Sequence, residues 1–336
     1  MPLNINKITD QATMLENRIR KRFHHLKKWA QRINIDAFRI YDRDIPEIPL
    51  VLDWYNGFIA GSFYERPYEV PELEELLWLN TMKHAISHIL EIDAEHIYIR
   101  KRQRIHQYQR LPGNERWVNV HENDLIFHIN VSNYVDTGLF LDRRALRFLI
   151  RNEVYGKKVL NLFCYTAAFS VAAARGGAES IDSVDLSNTY LEWAYHNFNL
   201  NAIPVYRVNS LTFLKNKYQL IRAEVRHFLN EAQRHNIRWD YIILDAPTFS
   251  NSKRMQIPLD ISRDYPQLIH SCLSLLNSNG TLWFSTNTHR FHCDETLFPG
   301  FMIQNYSEKL RMEDFCKKLP YCFKIQKVGV DSPQKK

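Results

Sequence analysis

No apolar run in this sequence approaches the roughly 18 residues that a membrane span needs, and no signal peptide precedes the charged stretch at 18–28. The expectation is a soluble, cytoplasmic protein with no membrane partner. The five cysteines, at 164, 272, 293, 316 and 322, form no CxxC pair, which argues against zinc sites and a disulfide framework and fits reduced thiols. No metal is expected. Glycine is also missing, at one turn where a dinucleotide-binding protein would need it.

That turn belongs to the stretch that organises the chain, 158–185. Val159 to Phe163 is a short apolar run, Cys164-Tyr165-Thr166-Ala167-Ala168 is turn-tolerant, and an Ala-rich segment leads to Gly176-Gly177. A second apolar strand, Ser180 to Val184, ends on Asp185. This reads as strand, turn, helix, strand, acid. In an open parallel sheet a ligand sits where the first strand gives way to the helix, and an acid about 20 positions later can hold a ribose hydroxyl. An adenosine-type cofactor is therefore expected. Ala167 and Ala168 stand where glycines would let backbone approach a pyrophosphate, so a diphosphate is disfavoured. S-Adenosylmethionine carries no phosphate and demands less bare backbone. An ordinary βαβ unit would use the same residues.

With 336 residues, 45% of them apolar, the chain has material for two domains, or for one large domain with an appendage. Its formal net charge is +7, and the cations come in clusters that suit a phosphate backbone through counterion release. Residues 1–12 look poorly constrained. From Thr13 a helix is expected, with Leu15, Ile19, Phe23, Leu26 and Ala30 on one stripe. Off it lie Arg18, Arg20, Lys21, Arg22, His24, His25, Lys27 and Lys28, a face equally suited to solvent and to phosphates. Strands are expected at 37–41, 50–54 and 57–63. Pro71 then opens a helix with Leu73, Leu76, Leu77, Leu79, Met82, Ile86, Ile89 and Leu90 on its buried side. Strands at 97–100, 117–120 and 125–131 follow, with turns at 113–114 and 122–124. Two-stranded pieces on either side of one helix make a small α+β subdomain, and Lys101, Arg102, Arg104 and Arg110 around Tyr108 form a second basic cluster.

The run from Asp136 to Arg144 places Gly138 at a tight turn and begins a helix through Ile150, positioned to overlie the cofactor crevice. Beyond Asp185, a helix at 188–201 lines up Tyr190, Trp193, Ala194 and Phe198. Strands at 219–223, 240–244 and 281–285 join those at 159 and 181 in a doubly wound α/β sheet, with the ligand at its carboxyl ends. Glu224 can accept a hydrogen bond from an adenine amino group, although a plain surface acid fits too. The most informative later motif is 245–254. Asp245 at a strand end, rigid Pro247, aromatic Phe249 and Ser250-Asn251-Ser252-Lys253-Arg254 combine cofactor contact, base stacking and phosphate anchoring. A Pro-containing loop with incidental charge would read the same. The C-terminal remainder is too irregular to assign.

At these motifs the sequence resembles the RlmK-type 23S rRNA guanine-N7 methyltransferases, the C-terminal half of the fused RlmKL enzymes, over nearly its whole length. The likeness rests on Glu16-Asn17-Arg18 to Trp29-Ala30, Asp136 to Arg143, Leu160 to Thr166, Thr189 to Trp193, Leu220 to Ala223, Arg263-Asp264, Phe284-Ser285 and, most specifically, Pro247 to Met255. The resemblance implies a Rossmann-like class I S-adenosylmethionine-dependent methyltransferase domain at 136–330, a basic helix at 1–35 and a small α+β RNA-binding subdomain at 36–135. It further implies S-adenosylmethionine held by Asn161, Phe163, Tyr165, Thr166, Asp185, Leu186, Glu224, Val225 and Asp245. Asp245 and Thr248 would position the base and Phe249 would stack on it. Arg18, Lys21, Arg22, Lys28, Arg102, Arg104, Lys253 and Arg254 would contact 23S rRNA or a large-subunit precursor. Ala167 replaces a usual Gly, and Ala246 replaces the first Pro of the usual Asp-Pro-Pro-Thr. Competing readings are a non-catalytic rRNA-binding or ribosome-assembly factor that keeps the fold, and an rRNA methyltransferase with another target base. A 5-methylcytosine enzyme would need a cysteine nucleophile after the fifth strand, where Cys293 is several residues too far on.

Overall fold

Helices form where apolar residues recur every three to four positions, and strands where short apolar runs end at turns. The computed structural model describes residues 5–66, 68, 70–102, 114–134, 136–208, 211, 213, 215–250, 258–317 and 319–328, with Arg102 described by its backbone alone. The chain divides into two compact units, Met1–Leu141 with Glu313–Lys317, and Asp142–Met312 with Lys318–Lys336.

In the first unit, α1 (Ile5–Arg32) starts at Ile5 rather than Thr13, because Ile8 and Ala12 extend the buried stripe of Leu15, Ile19, Leu26 and Ala30. Four strands, β1 (Ala37–Asp42), β2 (Leu50–Tyr55), β3 (Phe58–Tyr64) and β4 (Ile97–Arg102), form one sheet in that order. β4 runs parallel to β3, so α2 (Glu72–Leu90) is a crossover within a single sheet and not a divider between two-stranded pieces. Trp78, Met82, Ala85, Ile86 and Leu90 line its buried face, and the Trp78 indole donates to Gln11 Oε1 of α1 at 2.6 Å. Leu73, Leu76 and Leu77, expected to be buried, are exposed. Extended back by one turn, the buried stripe reaches Glu74 and Glu75 instead. β5 (Trp117–Glu122) and β6 (Leu125–Asn130) are an antiparallel hairpin, turning through Asn123 at φ 59.

The segment Glu313–Lys317 completes this unit. Glu313 pairs with His25 Nε2 at 2.9 Å, the Arg39 guanidinium stacks on Phe315 at 4.7 Å, and Lys317 Nζ donates to the Arg43 carbonyl at 2.7 Å.

The second unit follows the expected alternation. After α3 (Arg144–Glu153) come β7 (Lys158–Leu162), α4 (Ala168–Arg175), β8 (Ser180–Asp185), α5 (Asn188–Leu200), β9 (Tyr206–Val208), β10 (Tyr218–Arg222), α6 (Val225–Arg234) and β11 (Trp239–Asp245). A short pair, β12 (Phe249–Ser250) and β13 (Leu259–Asp260), precedes α7 (Ile261–Ser274), β14 (Leu276–Thr286), β15 (Phe301–Asn305) and β16 (Tyr321–Lys327). The sheet order is β15-β16-β14-β11-β7-β8-β10-β9. Helix-linked strands pair in parallel, and β16 inserts antiparallel between β14 and β15. Strands β9, β15 and β16 were not legible in the sequence. Leu160, Leu162, Val184, Ile221, Ile242, Leu244 and Phe284 form the centre of the buried core. Strand order reverses between β7 and β11, which puts the ligand crevice of such a sheet at their carboxyl ends.

Candidate functional site

Asp185, Glu224 and Asp245 stand at or just past the carboxyl ends of β8, β10 and β11. The registers Arg222↔Asp185, Leu162↔Val184 and Leu244↔Leu162 bring these ends level. Three strand spacings of about 4.8 Å separate Glu224 from Asp245, roughly 14 Å in all, enough for a nucleoside with a short side chain laid across the edge.

Between β7 and α4 the chain does without glycine by taking left-handed backbone at Phe163, Tyr165 and Ala167, with φ of 53, 53 and 59. Such geometry costs an L-residue roughly 1–3 kcal/mol, so the turn needs external holds. It has four. Cys164 N donates to Val184 O at 3.0 Å and Ala167 N to Cys164 O at 2.7 Å, Tyr165 N donates to Asp185 Oδ2 at 2.9 Å, and Asn197 Nδ2 donates to Thr166 O at 3.0 Å.

Asp185 also accepts from Ser187 N, through Oδ1 at 2.8 Å. Burial raises its pKa to about 6, against the pull of the Ser187, Tyr165 and Leu186 amides. A carboxylate offers about four lone-pair sites. The Tyr165 and Ser187 amides take two of them and the Leu186 amide draws on the same carboxylate, which leaves room for a ribose hydroxyl.

The remaining expected cofactor residues sort by exposure. Phe163, Tyr165 and Leu186 are partly exposed at the turn ends, and Tyr165 packs edge-on against Tyr190 at 4.5 Å. Asn161 and Thr166 have no exposed surface. Asn161 Nδ2 donates to Ser170 Oγ at 2.8 Å, so these two side chains shape the turn from behind. Glu224 caps α6 by accepting from His227 N at 2.8 Å, and Val225 is buried. Ala167 and Ala246 are 0% and 3% exposed.

At the other end, the Asp245 carboxylate is already engaged. Arg143 Nη2 and Nε meet its Oδ1 at 2.9 and 3.0 Å, Nε lies 3.2 Å from Oδ2, and Ser285 Oγ donates to Oδ1 at 2.6 Å. Arg143, Ser285, Ser187 and Asn197 went unrecognised as site residues. Nothing in local spacing marks them, and Arg143 is 102 residues from the acid it holds. Past Asp245, Thr248 is exposed and its carbonyl accepts from Ile261 N at 3.2 Å. Phe249 sits in β12 with half of its surface open.

In the other unit, Lys21 and Lys28 are exposed on α1. Arg18 pairs with Asp44 at 2.7 Å, and Arg22 donates to the Asp314 carbonyl at 3.3 Å and Cys316 Sγ at 2.8 Å. These two arginines therefore serve the fold as well as any ligand. Arg104, Lys253, Arg254 and the Arg102 side chain lie outside the described residues. Among the described residues no cluster of His, Cys, Asp or Glu could hold a metal ion, and no helix is long and apolar enough to cross a membrane.

A family model described as S-adenosylmethionine-dependent methyltransferase matches residues 38–321. The chain is 38% identical over 326 residues to ribosomal RNA large subunit methyltransferase K of Neisseria meningitidis, covering 96% of this chain and 89% of that one. It is 39% identical over 329 residues to ribosomal RNA large subunit methyltransferase K/L of Saccharophagus degradans, covering 95% of this chain but 42% of the longer protein. The chain thus spans less than half the length of the K/L relatives. Among solved structures, SMU.776, described as a methyltransferase complexed with SAH, superposes with a TM-score of 0.75 at 26% identity, covering 94% of this chain and 81% of that one.

Proposed function

Because the chain belongs to the S-adenosylmethionine-dependent methyltransferases, we propose that it methylates N7 of a guanine in 23S rRNA, as naked RNA or within a large-subunit precursor. The observation that carries the choice of atom is the engaged state of Asp245, which lies against a buried guanidinium. Guanine N7 already has a lone pair, so attack on a methyl group requires no base. Exocyclic amines and cytosine C5 must lose a proton during methylation.

The residues fit the cofactor through the remaining acceptor capacity of Asp185 and the level strand ends. Asp185 would hold the ribose, Phe163, Tyr165 and Leu186 would flank it, and Glu224 with Val225 would face the adenine. Bound there, S-adenosylmethionine supplies a methyl group made electrophilic by its sulfonium. What remains for the protein is alignment. Asp245 and Thr248 would orient the base, the open face of Phe249 would stack on it, and Lys21, Lys28, Lys253 and Arg254 would hold phosphates. Primer extension on borohydride- and aniline-treated 23S rRNA from a deletion strain tests this reading. One cleavage stop should vanish, and an unchanged pattern would remove the assignment.

Two further outcomes are expected. Ribose hydroxyls need the ionised form of Asp185, so protonation competes with cofactor binding and affinity falls as pH drops through about 6. Calorimetry should find S-adenosylmethionine bound about tenfold more weakly at pH 5 than at pH 7, with no such slope in Asp185→Asn. Cys293 is buried, and burial, aided by Glu295 and Asp294, pushes its thiol up to about 12, which leaves too little thiolate for a nucleophile. Cys293→Ala should keep full methyl-transfer activity. Its loss would instead favour the 5-methylcytosine chemistry.

A further inference from the structure

Arg143 lies in the turn before α3, with its side chain 6% exposed, and reaches the end of β11. Two of its nitrogens converge on Oδ1 of Asp245, which the Ser285 hydroxyl also engages. Its third nitrogen, Nη1, points to Asn287 Oδ1 at 3.4 Å and to Asp142 at 3.5 Å. Burial works against the charge on the guanidinium, but Asp245 and Asp142 outweigh it and hold the proton more firmly than usual. The pair is therefore a fixed cation held against a carboxylate.

The division of labour between the two carboxylate oxygens is uneven. Oδ1 has three donors within 3.0 Å, whereas Oδ2 has, among the described residues, only the longer 3.2 Å contact to Nε. Oδ2 is the oxygen with capacity left for an outside donor. A buried ion pair is a poor means of stabilising a fold, since apolar packing of the same volume often does as well or better. Its value here is orientation. A guanidinium fork fixes the plane of a carboxylate, which a single ammonium cannot do.

We propose that Arg143 is a positioning residue for methyl transfer, holding Oδ1 of Asp245 with Ser285 so that Oδ2 accepts an N–H of the incoming base. This rests on the methyltransferase reading above. Arg143 touches neither reactant and acts through Asp245.

The test uses the full-length protein with undermethylated 23S rRNA. Arg143→Gln should lower kcat about 100-fold, the scale of a misplaced positioning group, while calorimetry finds S-adenosylmethionine affinity within about threefold of the unsubstituted protein. Arg143→Lys should recover about tenfold, because charge returns without the fork. Combined with Asp245→Asn, the Gln variant should be no slower than Asp245→Asn alone, since both act on one interaction. Normal turnover in Arg143→Gln, multiplicative losses in the double variant, or a fall in kcat matched by lost cofactor affinity would each overturn the inference. Should the Gln variant fail to fold, the cycle of Arg143→Lys with Asp245→Asn decides by the same criterion of non-additivity. An unsubstituted protein that binds cofactor but transfers no methyl to rRNA would overturn the parent reading, and this inference with it. Normal turnover by both proteins would overturn the inference alone.

Discussion

Asp185→Ala should weaken S-adenosylmethionine binding by about two orders of magnitude in calorimetry. The carboxylate keeps acceptor capacity open to a ribose hydroxyl, and a hydrogen bond to a charged acceptor is worth about 1.5–3 kcal/mol. Losing it removes about 2–3 kcal/mol, a factor of roughly 30 to 150 in affinity. A second loss adds to the first. Tyr165 N would have no carboxylate to donate to, and the turn with three left-handed residues would lose one of its holds. Asp185→Asn keeps the shape and one acceptor, so it should fall in between, near tenfold. Binding by Asp185→Ala within threefold of the unsubstituted protein would mean that the cofactor does not rest on this carboxylate.

The second large effect concerns stability. A Cβ added at Gly176 would lie 2.1 Å from the Arg151 carbonyl oxygen and 2.9 Å from its carbon. Gly176 has φ −73, so its backbone conformation would accept any residue. Space alone demands the glycine. The obstacle is backbone, with no rotamer to swing aside, so α3 and the end of α4 would have to part. Overpacking typically costs 1–3 kcal/mol, and this contact belongs at or above the top of that range. A loss of about 3 kcal/mol lowers Tm by roughly 6–12 °C in a domain of this size. Gly156→Ala is the control. Nothing lies within 4 Å of its added methyl, but its φ is +68, and that strain alone costs about 1–2 kcal/mol. Equal melting of the two variants would show that α3 and α4 do not approach as closely as described.

In the sequence, Gly176-Gly177 marks only the end of the Ala-rich segment. The structure separates the pair, the first needed for close approach and the second for a φ of +81. The same division runs through the molecule. Strand, turn, helix, strand, acid was readable at 158–185 because each piece is local, an apolar run of four to six residues closed by a polar one. For the same reason Asp185, Glu224 and Asp245 could be located at strand ends. The leucines of α2 misled because their number suggested a buried face, whereas burial follows the spacing from Trp78 to Leu90. β15 and β16 escaped notice because no residue of β15 is buried and it gains its identity from pairing with β16. The left-handed aromatics at 163 and 165 had no glycine to announce them. Their backbone is held by Val184, Asp185 and Asn197, and no local rule connects those positions. The grip of Arg143 on Asp245 is of this kind as well.

The five residues Glu313–Lys317, set inside the first unit, impose an order on synthesis. A ribosome adds about 5–20 residues per second, so Asp314 emerges on the order of tens of seconds after Arg39, whose amide donates to its carboxylate. By then every strand of the second unit's sheet except β16 has been made. The first unit can begin to fold early, but it is finished almost last. A stall or truncation late in translation would therefore leave the N-terminal unit incomplete, hundreds of residues away from the break.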